Sequence, residues 1–425
     1  MSDLTSRLIT FLRWSQKYTK TDMVYLASRS GLGVIAQVTI SLATLAFAVV
    51  VGHYLPKETY GEYKYVLSII AILSLFSLNS IGGAVFQSTA KGYTGALHQG
   101  FWANIRWSFF VFSGALALAL YYFWFHNPVL AAEILIGGSL SPLLASASLY
   151  SPFLDGKKDF TRQMLYSIID NIFTTGVMVV AVLLTTSPLL LVCAYFISNT
   201  LGAFYFYRRT KILYASDEKK QDTGMLTFSK HLSALGVLGG IVDAVDQILI
   251  FHFAGAAQLA VFAFATALPD QFKTPTKTLS TMISSGFARR TKNEIHHGMT
   301  NKFWWYFVFA VCVVVAYLIA APYIFRLFFP AYMDSVFYSQ VYMLGFLAIT
   351  FDPIQSYFGI HKMVKEFYIG GIFSILCQAI TMIVGVLWWG ILGLVVAQVF
   401  TRIASALLTY ALYIRAKRND LAALS

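Results

Sequence analysis

Residues 231–284 read HLSALGVLGGIVDAVDQILIFHFAGAAQLAVFAFATALPDQFKTPTKTLSTMIS. Two apolar runs meet here at a short glycine turn around Gly255, each long enough to cross a bilayer as a helix. Five charges stand inside them: Asp243 and Asp246 in the first run, Asp270, Lys273 and Lys277 in the second. A charge at bilayer depth costs about 2.5–3.5 kcal/mol on insertion scales, so it is rarely idle. Asp270, Lys273 and Lys277 fall at i, i+3 and i+7, with Thr266, Thr274, Thr281 and Ser284 broadly extending that side. One face of this helix is built to meet something other than lipid.

The rest of the chain has the same character. Of 425 residues 58% are hydrophobic and 12% charged, where a soluble domain carries about 25% charged. This excludes a globular enzyme and predicts a polytopic membrane protein. The net charge of +12 would elsewhere point to nucleic acid. In a membrane protein it reflects Lys and Arg in cytoplasmic loops, and no nucleic-acid partner is expected. Cys193, Cys312 and Cys377 lie in apolar segments, too far apart for a metal motif or a disulfide framework. The N-terminus carries Arg7, Arg13, Lys17 and Lys20 without a short apolar core and cleavage site, so no cleaved signal peptide is read. Within it, residues 4–14 have the spacing of an interfacial helix or are a frayed end.

Hydropathy predicts an all-α protein of about twelve spans: 24–52, 62–86, 101–123, 129–150, 163–185, 188–207, 231–253, 257–284, 303–323, 338–360, 367–388 and 391–413. Connections after even-numbered spans are basic (Lys157, Lys158, Arg162, Arg208, Arg209, Arg289 and Arg290 among them), and those after odd-numbered spans are nearly bare. That asymmetry places both termini in the cytoplasm. The expected organisation is an N-terminal segment 1–23, an N-lobe 24–207, a linker 208–230 containing DEKKQD, a C-lobe 231–413 and a tail 414–425. VVVGHYLP at 49–56 faintly echoes LIFHFAG at 249–255, setting His53 over His252, as a parallel repeat of two six-span halves would.

The hairpin geometry puts Asp243 at about 15 Å and Asp270 at about 20 Å from the outer surface, with Lys273 a turn deeper and Lys277 near the cytoplasmic rim. Two readings stay open. The carboxylates pair with Lys273 to fix helix on helix while Lys277 snorkels, or the charges line an aqueous cavity. In the second reading Lys273, Arg402, Arg29 and Lys277 are the cavity cations. Asp243, Asp246, Asp270, Asp352 and Asp170 are then candidates for carrying a coupling proton or sodium ion. Pro142, Pro269, Pro275 and Pro353 are hinges or static bends. The chain has no GxxxxGK[ST], HExxH, GxSxG or CxxC pattern, so no catalytic residue, metal or cofactor is assigned. His296 and His297, in a basic loop, are read as solvated.

The stretch VVVGHYLPKETYGEYKYVLSII (49–70) resembles polysaccharide-repeat-unit flippases of the Wzx (O-antigen) type, in the superfamily of multidrug extruders and lipid II flippases. Gly61 matches the family's loop glycine, whereas His53 stands where many members have arginine and Leu55-Pro56-Lys57 only approximates LGP. DAVDQILIFHFAG (243–255) and the following AVFAFA resemble the family's seventh span, with Asp246 matching its acid. The resemblance implies two six-helix lobes around a central cavity and alternating access. The implied substrate is an undecaprenyl-pyrophosphate-linked oligosaccharide, turned outward across the bacterial cytoplasmic membrane and coupled to H+ or Na+. Membrane lipid, a polysaccharide polymerase and a chain-length regulator are the partners such a role admits. The competing readings are a multidrug-extrusion-type transporter, for which an acidic cavity is expected, and a lipid-linked polymerase or glycosyltransferase. The latter needs a larger external loop than the one near 324–337.

Overall fold

The computed structural model describes residues 23–214, 220–272, 292–352, 354, 358 and 363–422. All regular structure among them is helical. The helices are α1 (Met23–Tyr54), α2 (Lys57–Leu75), α3 (Ile81–Ala90), α4 (Ala96–Trp107), α5 (Phe109–Trp124), α6 (Pro128–Ala147) and α7 (Tyr150–Gly156). They continue as α8 (Phe160–Leu184), α9 (Pro188–Leu213), α10 (Met225–Ala254), α11 (Ala256–Gln271), α12 (Lys292–Phe328), α13 (Ser335–Leu344) and α14 (Val364–Ala422). A single 3₁₀ turn at Pro330–Tyr332 and a seven-residue 3₁₀ helix at Gly345–Phe351 flank α13.

Local sequence explains several boundaries. Asn127 caps α6 by accepting from the Leu130 N–H at 3.2 Å, with Pro128 supplying the first-turn φ. Asp159 caps α8 through the Arg162 N–H at 3.3 Å. Gly255, at φ 89°, makes the α10–α11 turn that a side chain would strain.

Seven helical stretches among the described residues are long and apolar enough to span a membrane, and α10, bent between Ala234 and Gly239, is an eighth candidate. One of the seven, Tyr368–Ala416, has 49 residues and would reach about 74 Å if straight, over twice a ~30 Å hydrocarbon core. It is a fold-back pair. Gly390 breaks it at φ 58°, ψ −130°, the backbones of Gly385 and Gly393 come into direct contact, and the Thr381 and Thr401 hydroxyls bond at 3.1 Å. Six single spans, this pair and α10 account for nine of the twelve expected spans. The other three do not pass on length and apolarity. The second is split between α2, which starts with Lys57, Glu58, Glu62 and Lys64, and α3. The eighth continues from α11 beyond the described residues, and the tenth is the 17-residue Ser335–Phe351.

The chain forms two compact units, one of residues 1–51 and 73–237, the other of 52–72 and 238–425. In the first, Leu97, Phe153, Leu154 and Val85 are buried, and rings stack at Phe101–Tyr207 (4.7 Å) and Tyr166–Phe206 (4.5 Å). Asn104 donates to Ser146 at 3.0 Å inside it. In the second, Tyr65 of α2 stacks on Phe251 of α10 at 3.7 Å, and Phe264 of α11 stacks on the fully buried Tyr332 at 3.8 Å. Gly61 of α2 lies directly on the Ala256 carbonyl at the start of α11.

Candidate functional site

The second unit encloses two adjoining chambers. The smaller, about 370 Å³, is lined by polar groups: Asp246 and Gln247 of α10, Asp270 of α11, and Gln378, Gln398 and Arg402 of α14. The larger, about 540 Å³, is lined mainly by apolar ones, among them Val242, Met343, Phe346, Ile349 and Ala406, with Asp352 at its wall. Tyr342, Ser374, Gln378 and Arg402 belong to both.

The fold-back of α14 makes this possible. Gln398, Thr401, Arg402, Ser405 and Thr409 recur at helical spacing on its second half, and all five line one chamber or the other. The Arg402 stem crosses Gly345, where a Cβ would come within 3.1 Å of its Cδ. Its Nη2 donates to the Tyr342 hydroxyl at 2.6 Å, and its guanidinium carbon lies 4.4 Å from the Tyr342 ring centre. The same hydroxyl donates to Asp270 Oδ1 at 2.9 Å. Tyr342 thus bridges the Arg402 guanidinium and the Asp270 carboxylate. Such a bridge spreads charge without the full desolvation of a bare pair.

Asp246 is 8% exposed and satisfied by amides: Gln398 Nε2 donates to Oδ2 at 2.9 Å and the Gln247 N–H to Oδ1 at 2.6 Å. Ser68 of α2 closes the cluster by donating to Gln247 Oε1 at 2.7 Å. The described groups of the polar chamber therefore comprise one guanidinium and two carboxylates. Among the described residues no group of three or more His, Cys, Asp or Glu is placed to hold a metal ion.

Of the residues singled out from sequence, Asp246, Asp270, Arg402 and Asp352 come together here. Asp170 lies in the first unit, on α8, its Oδ1 buried against Gly202 of α9. Lys273 and Lys277 lie outside the described residues, as do segment 4–14, Pro275 and Pro353. Arg29 and Asp243 fall on α1 and α10, their side chains likewise outside what is described. Sequence reasoning missed Tyr342, Gln398 and Gln378. The polar stripe on α14 was the available signal for Gln398; Tyr342 had none. It also passed over Glu133, 0% exposed within α6, although an acid inside an apolar run is the kind of residue it sought.

Repeated long apolar helices define a multi-pass membrane protein, with a charged chamber in its second unit. Solved structures carry the same fold. An inward-facing multidrug resistance MATE family transporter of the MOP superfamily aligns with TM-score 0.73 at 13% identity, covering 92% of this chain and 99% of its own. The lipid II flippase MurJ, in an inward closed conformation, aligns with TM-score 0.64 at 14% identity, covering 88% and 86%. A MOP superfamily transporter from Pyrococcus furiosus, described as having a binding pocket of reverse polarity, aligns with TM-score 0.59 at 14% identity, covering 92% and 94%. Identities this low establish the fold. Residues 50–294, more than half the chain, match the family model described as polysaccharide biosynthesis protein, and the chain belongs to that family. No curated protein matches it.

Proposed function

We propose that the protein is a flippase that turns a lipid-linked oligosaccharide, an undecaprenyl-pyrophosphate-linked repeat unit, from the inner to the outer leaflet of the bacterial cytoplasmic membrane. The observation that carries this is Arg402, a guanidinium at the junction of a polar and an apolar chamber in a polysaccharide-family chain with a MOP transporter fold. Arginine binds phosphate oxygens through paired N–H groups, and a dry chamber strengthens those bonds. Lys273, with Lys277 at the rim and Arg29, would add positive charge along the entry path. Twelve spans in two six-helix lobes, joined through 208–230 with both termini in the cytoplasm, are the layout this role uses.

The chamber's charges give coupling a physical basis. Asp246 and Asp270 share the polar chamber with Arg402, and their negative charge opposes an anion there. Loading them with protons, or with sodium, removes that opposition and favours the pyrophosphate. Asp243, Asp352 and Asp170 are further candidates for the coupling ion. The two carboxylates of the chamber also favour a second reading, a multidrug-extrusion-type transporter that takes cations directly into it.

Substituting the charged groups separates the two. On the flippase reading Arg402→Ala abolishes surface-polysaccharide display at normal membrane levels of protein. Asp246→Asn and Asp270→Asn remove the dependence of reconstituted translocation on pH or sodium gradients. Full display by Arg402→Ala removes that residue from the mechanism. Cation efflux that survives Arg402→Ala and is lost in Asp246→Asn supports the extruder instead.

A further inference from the structure

We infer that the larger chamber is a binding subsite for hydrocarbon, and that its occupant is the pyrophosphate-proximal isoprenoid end of the lipid carrier. This rests on the reading of the polar chamber as an anion site and adds to it a place for the tail.

Three observations support it. First, the two chambers have opposite character and share one wall, in which Arg402 stands. A bare anion has no use for the apolar chamber, and a plain hydrocarbon has none for a guanidinium. A molecule with a pyrophosphate joined to a chain of methyl-branched carbons uses both at once. Second, about 540 Å³ lies within the usual range of ~300–1,000 Å³ for ligand pockets.

Third, of the four glycines lining the larger chamber only Gly345, under the Arg402 stem, packs closely against protein. At Gly239 of α10 and at Gly370 and Gly371 of α14, an added Cβ would meet no atom of the described residues within 4 Å. Glycine weakens a helix interior relative to alanine, so three of them facing open space need a reason other than fit. Keeping the chamber wide is such a reason. At Gly385 and Gly393 of the same α14, by contrast, a Cβ would strike backbone. The helix therefore uses glycine in two ways, and the lining ones leave room.

Labelling of single cysteines in the full-length protein tests this. Cys193, Cys312 and Cys377 are replaced by serine, and Thr266→Cys reports on the polar chamber while Ala406→Cys reports on the apolar one. N-ethylmaleimide reaction rates are measured in lipid nanodiscs with inorganic pyrophosphate, farnesyl pyrophosphate or farnesol. Farnesyl pyrophosphate, at about ten times its Kd, is expected to slow both reporters about tenfold. Pyrophosphate should slow only Thr266→Cys. Adding Gly371→Leu, whose Cβ meets no described atom within 4 Å and whose side chain would occupy the chamber, should abolish protection of Ala406→Cys by farnesyl pyrophosphate and leave pyrophosphate protection of Thr266→Cys intact.

If farnesyl pyrophosphate protects Thr266→Cys but never Ala406→Cys, the tail subsite is wrong and the anion site stands. If neither pyrophosphate nor farnesyl pyrophosphate protects Thr266→Cys, the anion reading fails and this inference with it. Equal protection of Ala406→Cys by farnesol and farnesyl pyrophosphate, unaffected by Gly371→Leu, would mean unspecific partitioning and also overturn it.

Discussion

Gly61 offers a sharp test of how the second unit is held together. It sits in the first turns of α2, and a Cβ built there would collide with the Ala256 carbonyl at the start of α11, below the 3.0 Å that real Cβ atoms observe. The obstacle is backbone, so no side-chain rotation relieves it. Overpacking of this kind costs about 1–3 kcal/mol, and more where backbone must move. Against it stands the helix preference of alanine over glycine, about 1 kcal/mol. The collision wins, and Gly61→Ala should lose on the order of 1–2 kcal/mol net. Gly176 of α8 is the control: nothing lies within 4 Å of its Cβ position, so there the preference acts alone. Gly176→Ala should gain up to about 1 kcal/mol. Melting both variants beside the parent in one detergent should move their midpoints in opposite directions. A Gly61→Ala midpoint at or above that of Gly176→Ala would refute the claim that α2 is seated on α11 by backbone contact.

In the first unit, Gly202→Ala should drive a Cβ into the Asp170 carboxylate, and Asp170→Ala should remove the obstacle. A double-mutant cycle by thermal melting is expected to give a coupling of about 0.5–3 kcal/mol, whereas simple additivity would show that Asp170 does not rest there. In the linker, Ser88 donates to Asp222 Oδ2 at 2.7 Å and the Gly224 N–H to Oδ1 at 2.9 Å, with Lys91 adding attraction, and together these hold the carboxyl below the usual carboxylate range. A carboxylate so depressed adds stability that is complete above its unfolded pKa of about 3.9 and is lost as pH falls through the lower folded value. Asp222→Asn should flatten that acid limb by less than about 1 kcal/mol, since the site is largely exposed. Identical melting curves against pH for the two proteins would contradict this.

How far the sequence could be read follows from which physical term decided each element. Nine spans were legible because burial in lipid imposes a long apolar run that no tertiary context can disguise. The expected second and tenth are less plain because their helices sit against protein: α2 buries Tyr60, Tyr63 and Tyr65 beside four charges, and α13 buries Ser335 and Ser339; the expected eighth runs into residues outside those described. Arg402 stood out as a charge in an apolar run. Its partner did not, because tyrosine is common at span ends and nothing local marks Tyr342 as the one that reaches both Arg402 and Asp270. The Gln398 amide that donates to Asp246 comes from 152 residues away in sequence, a distance no periodicity bridges.

Glycine separates scaffold from site in this chain more cleanly than charge does. Charge is ambiguous: Asp246 and Asp270 are hydrogen-bonded as structural groups are, yet they line a chamber as functional groups do. Glycines answer a simpler question, whether the missing Cβ makes room for protein or for something else. At Gly61, Gly385 and Gly393 the space is taken by backbone, and at Gly202 by a carboxylate. At Gly239, Gly370 and Gly371 it is left open, and these three line the same cavity from two helices. Glycine costs these helices propensity, and unlike the isolated Gly176 the three stand together on one cavity, which an occupant would explain. A ligand site in the second unit therefore needs no particular protonation state of any carboxylate. It needs the void that these glycines keep clear, beside the guanidinium of Arg402 that can hold one end of what enters it.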